Sequence, residues 1–281
     1  MRKSYNGIEY NYIDPTGNIT VLVTSPVDII SQPEVADMIM KTEPTCEQVG
    51  FVGISDKADI RLRMAGGEFC GNATMSAAAL LCDGHDLSIG SSDTIRVESS
   101  GADHPVLVDI TRIDDGNTHM YSGRVDMPLP RSVTTYDFTY KGTRYTLPVV
   151  ESDGITHIIL FDDETRLCDS DEEEAIRVWC GELSCDALGI MNISAVREHA
   201  SSDPDYDTFI SLNIRPLVYV GGQESLFWER SCASGTTAVG AYYANRYGGS
   251  GICITAAGPG GVLTAQCRRD GHIMLCGNVA I

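Results

Sequence analysis

The sequence predicts an α+β protein of two pseudo-symmetric domains, each a curved, mainly antiparallel sheet wrapped around one central apolar helix. Three observations carry that expectation. Two alanine-rich apolar runs, residues 75–81 and 238–244, each follow a cysteine set among small residues, and those cysteines, Cys70 and Cys232, lie 162 positions apart. Alternating and β-branched segments recur through both halves, separated by Gly, Asp and Asn turn signals. An apolar helix in each half needs a sheet to cover it, and each half supplies the strands to do so.

In chain order, Thr20-Val21-Leu22-Val23 is the first clear β-branched strand. Residues 33–41, with Pro33 and Glu34 at the start, read as an amphipathic helix with an acidic first turn. The first buried helix begins near Cys70. Residues 105–110 and 123–127 alternate as strands of an antiparallel pair, with Asp114-Asp115-Gly116-Asn117 as a turn. Pro128-Leu129-Pro130 ends the second of these and sets a domain boundary, giving domains 1–128 and 129–271. Lys141-Gly142 and Asp270-Gly271 mark further hairpin turns, residues 156–161 a strand, and residues 171–179 a second amphipathic helix with an acidic first turn. The second buried helix begins near Cys232.

With 281 residues, 43% of them hydrophobic and 21% charged, the chain has material for two cores. A formal charge of −19, with four lysines and sixteen arginines, argues against nucleic acid or an anionic membrane as a partner. No apolar run approaches the roughly 20 residues that span a bilayer, and the polar start Met1-Arg2-Lys3-Ser4-Tyr5-Asn6 points to a cytoplasmic location. With a polar start instead of a secretory leader, the ten cysteines are expected to be reduced thiols, and no paired ladder of zinc-binding spacing is present among them. Cys46, Cys82, Cys168, Cys180, Cys185, Cys253, Cys267 and Cys276 read as small packing residues. The acidic stretch Asp162-Asp163-Glu164 reads as a solvated loop and the run 169–174 as a negative helix start, so no metal site is expected.

Cys70 and Cys232 stand apart because of where they lie. At a helix N-terminus, unpaired amides and the helix dipole favour a thiolate and can also hold a carboxylate. Small residues after each cysteine allow a ligand to approach the backbone. The backbone groups of Gly71, Asn72, Ala233, Ser234 and Gly235 are therefore candidate carboxylate binders.

The motifs Gly66-Gly67-Glu68-Phe69-Cys70-Gly71-Asn72 and Cys232-Ala233-Ser234-Gly235 resemble the diaminopimelate epimerase-like family of cofactor-independent amino-acid racemases and epimerases. That family carries Cys-Gly-Asn in its first half and Cys-Gly-Ser/Thr-Gly in its second. Ala233 replaces a glycine here, tolerable unless its φ is positive. Weaker matches are Gly17-Asn18-Ile19-Thr20, Val125-Asp126-Met127-Pro128, Gly154-Ile155-Thr156-His157, and Asn192 with Ala195-Val196. The resemblance implies that residues 272–281 return to the first domain, that the active site lies between domains, and that no cofactor is needed.

It also implies roles. Cys70 and Cys232 would act as the acid/base pair on the α-carbon of a small amino-acid substrate, while Asn18, Glu47, Asn72, His157, Asn192 and Glu224 would bind that substrate, with Glu229 competing for the place of Glu224. Ile155 stands where diaminopimelate epimerases have an asparagine for the distal amino-acid head. The Gly-Gly-Glu-Phe-Cys-Gly-Asn motif and Glu224, eight residues before Cys232, are more similar to the histidine racemases of opine-type metallophore synthesis. Histidine is thus the first expected substrate, with diaminopimelate epimerase or proline-type racemase activity as alternatives and a thiol- or metal-binding protein as the non-enzyme reading. A homodimer is the assembly considered.

Overall fold

A computed structural model describes residues 1–114, 118–162, 167–249 and 251–281, with the Gln223 side chain outside the description. The chain divides into two compact units, Met1–Met127 with Leu275–Ile281, and Pro128–Met274. The first holds β1 (Arg2–Tyr5), β2 (Ile8–Pro15), β3 (Thr20–Val23), α1 (Gln32–Thr42), β4 (Gln48–Gly53), β5 (Ile60–Met64), α2 (Gly71–Gly84), β6 (Ser92–Ser99), β7 (Val106–Arg112) and β8 (Met120–Met127). The second holds β9 (Ser132–Tyr140), β10 (Thr143–Ser152), β11 (Ile155–Phe161), α3 (Asp169–Leu183), β12 (Ala187–Ala200), β13 (Thr208–Val220), β14 (Ser225–Trp228), α4 (Ala233–Arg246), β15 (Ile252–Gly258) and β16 (Gly261–Cys267). The last strand, β17 (Ile273–Ala280), ends in the first unit, where Val279 and Ala280 pair with Pro15 and Asp14 of β2.

Hairpins make most of the pairings antiparallel, but the sheet is mixed: β3–β4, β5–β6, β11–β12 and β13–β15 run parallel. The first three of these pairs are each bridged by a helix, since a parallel neighbour needs a crossover. Both outer helices exceed their expected bounds, α1 reaching Thr42 and α3 running from Asp169 to Leu183. Lys141 and Gly142 both take positive φ, the twist a two-residue hairpin between β9 and β10 requires. The turn expected at Asp114-Asp115-Gly116-Asn117 falls largely outside the described residues, as do Asp163 and Glu164 of the acidic loop.

In the first unit α2 touches β2, β3, β5, β6, β7 and β8; in the second α4 touches β9, β10, β11, β12, β15 and β16. A helix surrounded in this way can carry only small or fitted side chains. Ala73, Met75, Ala77, Ala78 and Ala79 of α2 are buried, as are Ala238, Val239, Ala241 and Tyr243 of α4. Glycines make the closest approaches: a Cβ at Gly123 of β8 would lie 3.0 Å from Met75 Sδ, and one at Gly240 of α4 would lie 2.9 Å from Cys267 Sγ. The buried hydroxyls of Thr74, Ser76, Thr236 and Thr237 bond back to carbonyls one turn earlier, so none is left unsatisfied.

The outer helices cover the other faces of their sheets. α1 buries Ala36 and Ile39 against Val21, Val23, Val49 and Phe51. α3 buries Ala175, Ile176, Trp179 and Cys180 against Phe138, Leu188, Ile190 and Leu217. Among the described residues no helix is long and apolar enough to cross a membrane.

One strained residue bends β12. Its pairing with β13 shifts register between Ser194 and Arg197, and Ala195 inside that bulge takes φ +51°. A left-handed alanine costs about 1–2 kcal/mol that glycine avoids, part of which glycine loses again as chain entropy. Ala195→Gly is therefore expected to stabilise the protein by about 1 kcal/mol, read as a thermal midpoint raised by roughly 2–4 °C.

Candidate functional site

In the first unit, α2 starts at Gly71 with Cys70 as its N-cap in extended conformation, φ −134° and ψ 113°. The sulfur accepts the Ala73 amide at 3.4 Å, and the Cys70 carbonyl accepts from the Thr74 amide and hydroxyl. Ahead of it, the loop 65–69 is pinned from behind: Ser100 Oγ donates to the Glu68 carbonyl at 2.7 Å, and Gly101, at φ +72°, packs so closely on Phe69 that a side chain there would strike the backbone. Cys70 is half-buried.

Cys70 Sγ donates to Gln48 Oε1 at 3.0 Å. Gln48 Nε2 in turn donates to Asn18 Oδ1 at 2.6 Å and Thr20 Oγ1 at 2.7 Å, and Asn18 Nδ2 donates to Glu47 Oε2 at 2.8 Å. Asn18 is buried just after the left-handed pair Thr16 and Gly17. Glu47 and Asn18 thus connect to Cys70 through Gln48, which sequence reading passed over. Strand parity is the signal that would have found it: Val49 and Phe51 of β4 pack into the α1 core, so Gln48 and Gly50 face α2. Asn72 is buried at the helix start, its Oδ1 without a partner among the described residues.

The second unit repeats the cap in a different setting. Cys232 precedes α4 with φ −124° and ψ 110°, and its sulfur accepts the Gly235 amide at 3.3 Å. Gly235 packs against the thioether end of Met191, so that a Cβ there would require that side chain to shift. Ala233 is not among the positive-φ residues, which fits alanine at this position. The Gly235 amide is spent on the sulfur, as is that of Ala73, so the first-turn amides without an intrahelical acceptor are those of Gly71 and Asn72 in α2 and of Ala233 and Ser234 in α4.

Ser234 Oγ lies 3.5 Å from Cys232 Sγ and 3.2 Å from His157 Nε2. His157, on β11, is fully buried against Gly189, and burial lowers it to about 4, so its ring is neutral at physiological pH. Glu229 is hydrogen-bonded to Cys232, and burial pushes its carboxyl up to about 7. Burial also holds the Cys232 thiol well above its ordinary range, reinforced by the Glu229 charge; the bonds from Ser234 and the Gly235 amide pull the other way without offsetting it. The thiol-lowering expected at a helix start is thus outweighed by desolvation at this cysteine.

Two residues go elsewhere. Glu224 is exposed and left-handed at the far end of β14, the four-residue strand Ser225–Trp228, so Glu229 and not Glu224 reaches Cys232. Asn192 lies on the opposite face of β12 from Met191, and donates to Glu172 Oε2 of α3 at 2.7 Å. Leu188 and Ile190, its parity mates, pack into the α3 core, whereas Met191 and Ile193 pack in the core that holds Cys232. All ten cysteines are free thiols, and no cluster of three or more metal-ligating side chains occurs among the described residues.

A family model described as the histidine racemase CntK N-terminal domain matches residues 7–281. A histidine racemase of Fusobacterium nucleatum subsp. nucleatum is 32% identical over 250 residues, covering 85% of this chain and 82% of that protein. A histidine racemase of Staphylococcus aureus strain Mu50 is 28% identical over 279 residues, 94% and 91% of the two chains. Among solved structures, a "Predicted Epimerase" from Pseudomonas aeruginosa superposes with a TM-score of 0.60 at 13% identity, covering 97% of this chain and 96% of that one, a likeness of fold.

The buried groups dictate a pH dependence. His157 stays neutral in the fold down to about 4, while the unfolded chain protonates it near 6.5; between those values the unfolded state binds more protons, so stability falls as pH drops. Glu172 and Glu229, raised from 4.5 to about 7, act with the opposite sign: their contribution is present at low pH and lost as pH rises from 4.5 to 7. His157→Gln is expected to remove about 2 kcal/mol of the stability change between pH 6.5 and pH 4.5, measured by urea unfolding at both values. An unaltered change would mean that the imidazole takes up its proton inside the fold.

Proposed function

We infer the activity from one premise: the chain belongs to the family of histidine racemases. It is an isomerase of the racemase and epimerase class. We propose that it inverts the α-carbon of free histidine without a cofactor, with Cys70 and Cys232 as the acid/base pair: one thiolate removes the α-proton and the other thiol delivers a proton to the opposite face.

The observation that carries this reading is the repeated cap. Each cysteine is the extended residue before a buried helix, each sulfur accepts the amide three residues on, and each leaves two first-turn amides open for a carboxylate. Removing an α-proton with no electron sink requires the developing charge to be met by such fixed donors in a site shielded from water.

Glu229 supplies the base that Cys232 lacks. A thiol held above its ordinary range gives up its proton only to a nearby acceptor, and a carboxyl poised near 7 and bonded to the sulfur is such an acceptor at neutral pH. Ser234, tied to neutral His157, holds the opposite flank of the sulfur. Histidine as substrate is supported by the relatives and by Ile155, which packs against an apolar core and offers no hydrogen bond to a charged distal head. A site that leaves such a head unpaired disfavours it strongly.

Cys70→Ala and Cys232→Ala are each expected to lower racemisation by about 10³-fold or more with the fold retained, and serine to be nearly as damaging. In deuterated water the product enantiomer should carry solvent deuterium from the first turnover while the remaining substrate keeps protium. Early protium in the product would favour a single base serving both faces. Chiral chromatography of parallel incubations, with neither pyridoxal phosphate nor metal added, is expected to show L-histidine racemised faster than diaminopimelate is epimerised; the reverse order would overturn the substrate and leave the thiols standing.

A further inference from the structure

The bonds that end on Cys70 have a direction, set by the carboxyl at their far end. An ionised Glu47 carboxylate only accepts. Asn18 must therefore turn its NH₂ toward Glu47, which leaves its Oδ1 facing Gln48 at 2.6 Å. Only the Gln48 NH₂ can meet that oxygen. The same NH₂ reaches Thr20 Oγ1 at 2.7 Å, and the Thr20 hydroxyl has its own proton committed to the Asn18 carbonyl at 3.1 Å, so it too accepts. The Gln48 amide is thus fixed in one orientation, with Oε1 turned to the sulfur of Cys70 at 3.0 Å.

We infer that Gln48 is a positioning residue that holds Cys70 in its protonated form, its orientation locked through Asn18 by the Glu47 carboxylate. A carbonyl oxygen bonds to an S–H and is repelled by a thiolate, so the relay opposes the thiolate that the Ala73 amide and the helix start favour. The inference rests on the two-thiol reading above for its catalytic meaning: Cys70 enters the cycle as the proton donor, and the amide sets how readily it can afterwards act as base.

Glu47 reaches the amide through Asn18, and Cys46 donates to the Gln48 carbonyl at 3.2 Å. The Glu68 carboxyl turns toward Gly66, and the Arg63 guanidinium of β5 lies against Gly67. The first turn of α2 carries no acid, and β3 has no ionisable side chain. On the other elements that pack on α2, Asp14 accepts the Gly17 amide, Glu98 is held by Ser55 and Arg61, and Tyr121 bonds Asp83 at the far end of the helix.

The test reads the thiol directly. Iodoacetamide alkylation of Cys70 is followed against pH in the full-length protein, with the modified peptide quantified by mass spectrometry. Gln48→Leu removes the acceptor and is expected to lower the alkylation midpoint by about one pH unit, roughly tenfold faster labelling at neutral pH; Gln48→Glu places a carboxylate there and should raise it. Glu47→Gln unlocks the relay and should move the midpoint in the direction of the leucine variant. Thermal melts identify any variant that fails to fold, and Glu47→Gln, which leaves Gln48 in place, decides the matter if the leucine variant does. Shifts of the same sign for leucine and glutamate, or an unmoved midpoint in the glutamine variant, would overturn the inference. Labelling does not depend on turnover, so a chain that proved inactive on histidine would discredit the proposed function while this readout still stood.

Discussion

The structure depends on a helix whose first turn is buried while its N-cap is a cysteine. Serine, aspartate and asparagine are the usual residues there, and their oxygens bond the third amide at about 3 Å. A sulfur at 3.3–3.4 Å is a weaker acceptor, so both caps forgo about 1 kcal/mol of helix stability relative to an oxygen cap. That loss is tolerable because α2 and α4 do not rely on their caps: packing by strands on all sides holds them. The small residues of each first turn leave its open amides uncovered, which bulky side chains would not.

The two caps are alike in backbone and unlike in electrostatics. Cys70 is half-buried, its sulfur bonds the neutral amide of Gln48, and the Glu47 carboxylate of that relay acts through two intervening side chains. Cys232 is buried beside a carboxyl that titrates near neutrality. A repeated backbone geometry therefore fixes where each sulfur sits, while non-repeated side chains set how readily it loses its proton.

What could be read from the sequence follows the same division. The cysteine-led helices were legible because an alanine-rich run behind a cysteine is a local signal, and the terminal prolines at 128 and 130 marked where the first run of strands ends. Mixed pairing was not legible, since parallel neighbours such as β3 and β4 are distant in sequence and joined only by the helix between them. Glu224 had the expected spacing before Cys232, but spacing ignores that the intervening residues form an extended strand, which carries a residue about 3.3 Å per step away from the thiol. Gln48 was missed because its neighbour Glu47 bears the charge that draws attention, although the side chain touching the sulfur is the uncharged one.

Strand parity also explains why Asn192 and His157 part company on neighbouring strands. Leu160 of β11 stands opposite Asn192 of β12, so Asn192 shares the face of Leu160 and α3, while His157, an odd number of residues from Leu160, shares the face of Cys232. Asn192 therefore satisfies Glu172, whose carboxyl is buried under α3 and raised to about 7, much as Glu229 is raised beside Cys232. The second unit thus holds two carboxyls that titrate together for the same reason, desolvation, in different places. Only one of them touches a thiol. On the two-thiol reading proposed above, a change in rate near neutral pH carries two physical contributions, proton exchange at Cys232 through Glu229 and the seating of α3 through Glu172, and the latter must also appear in stability, where no substrate is involved.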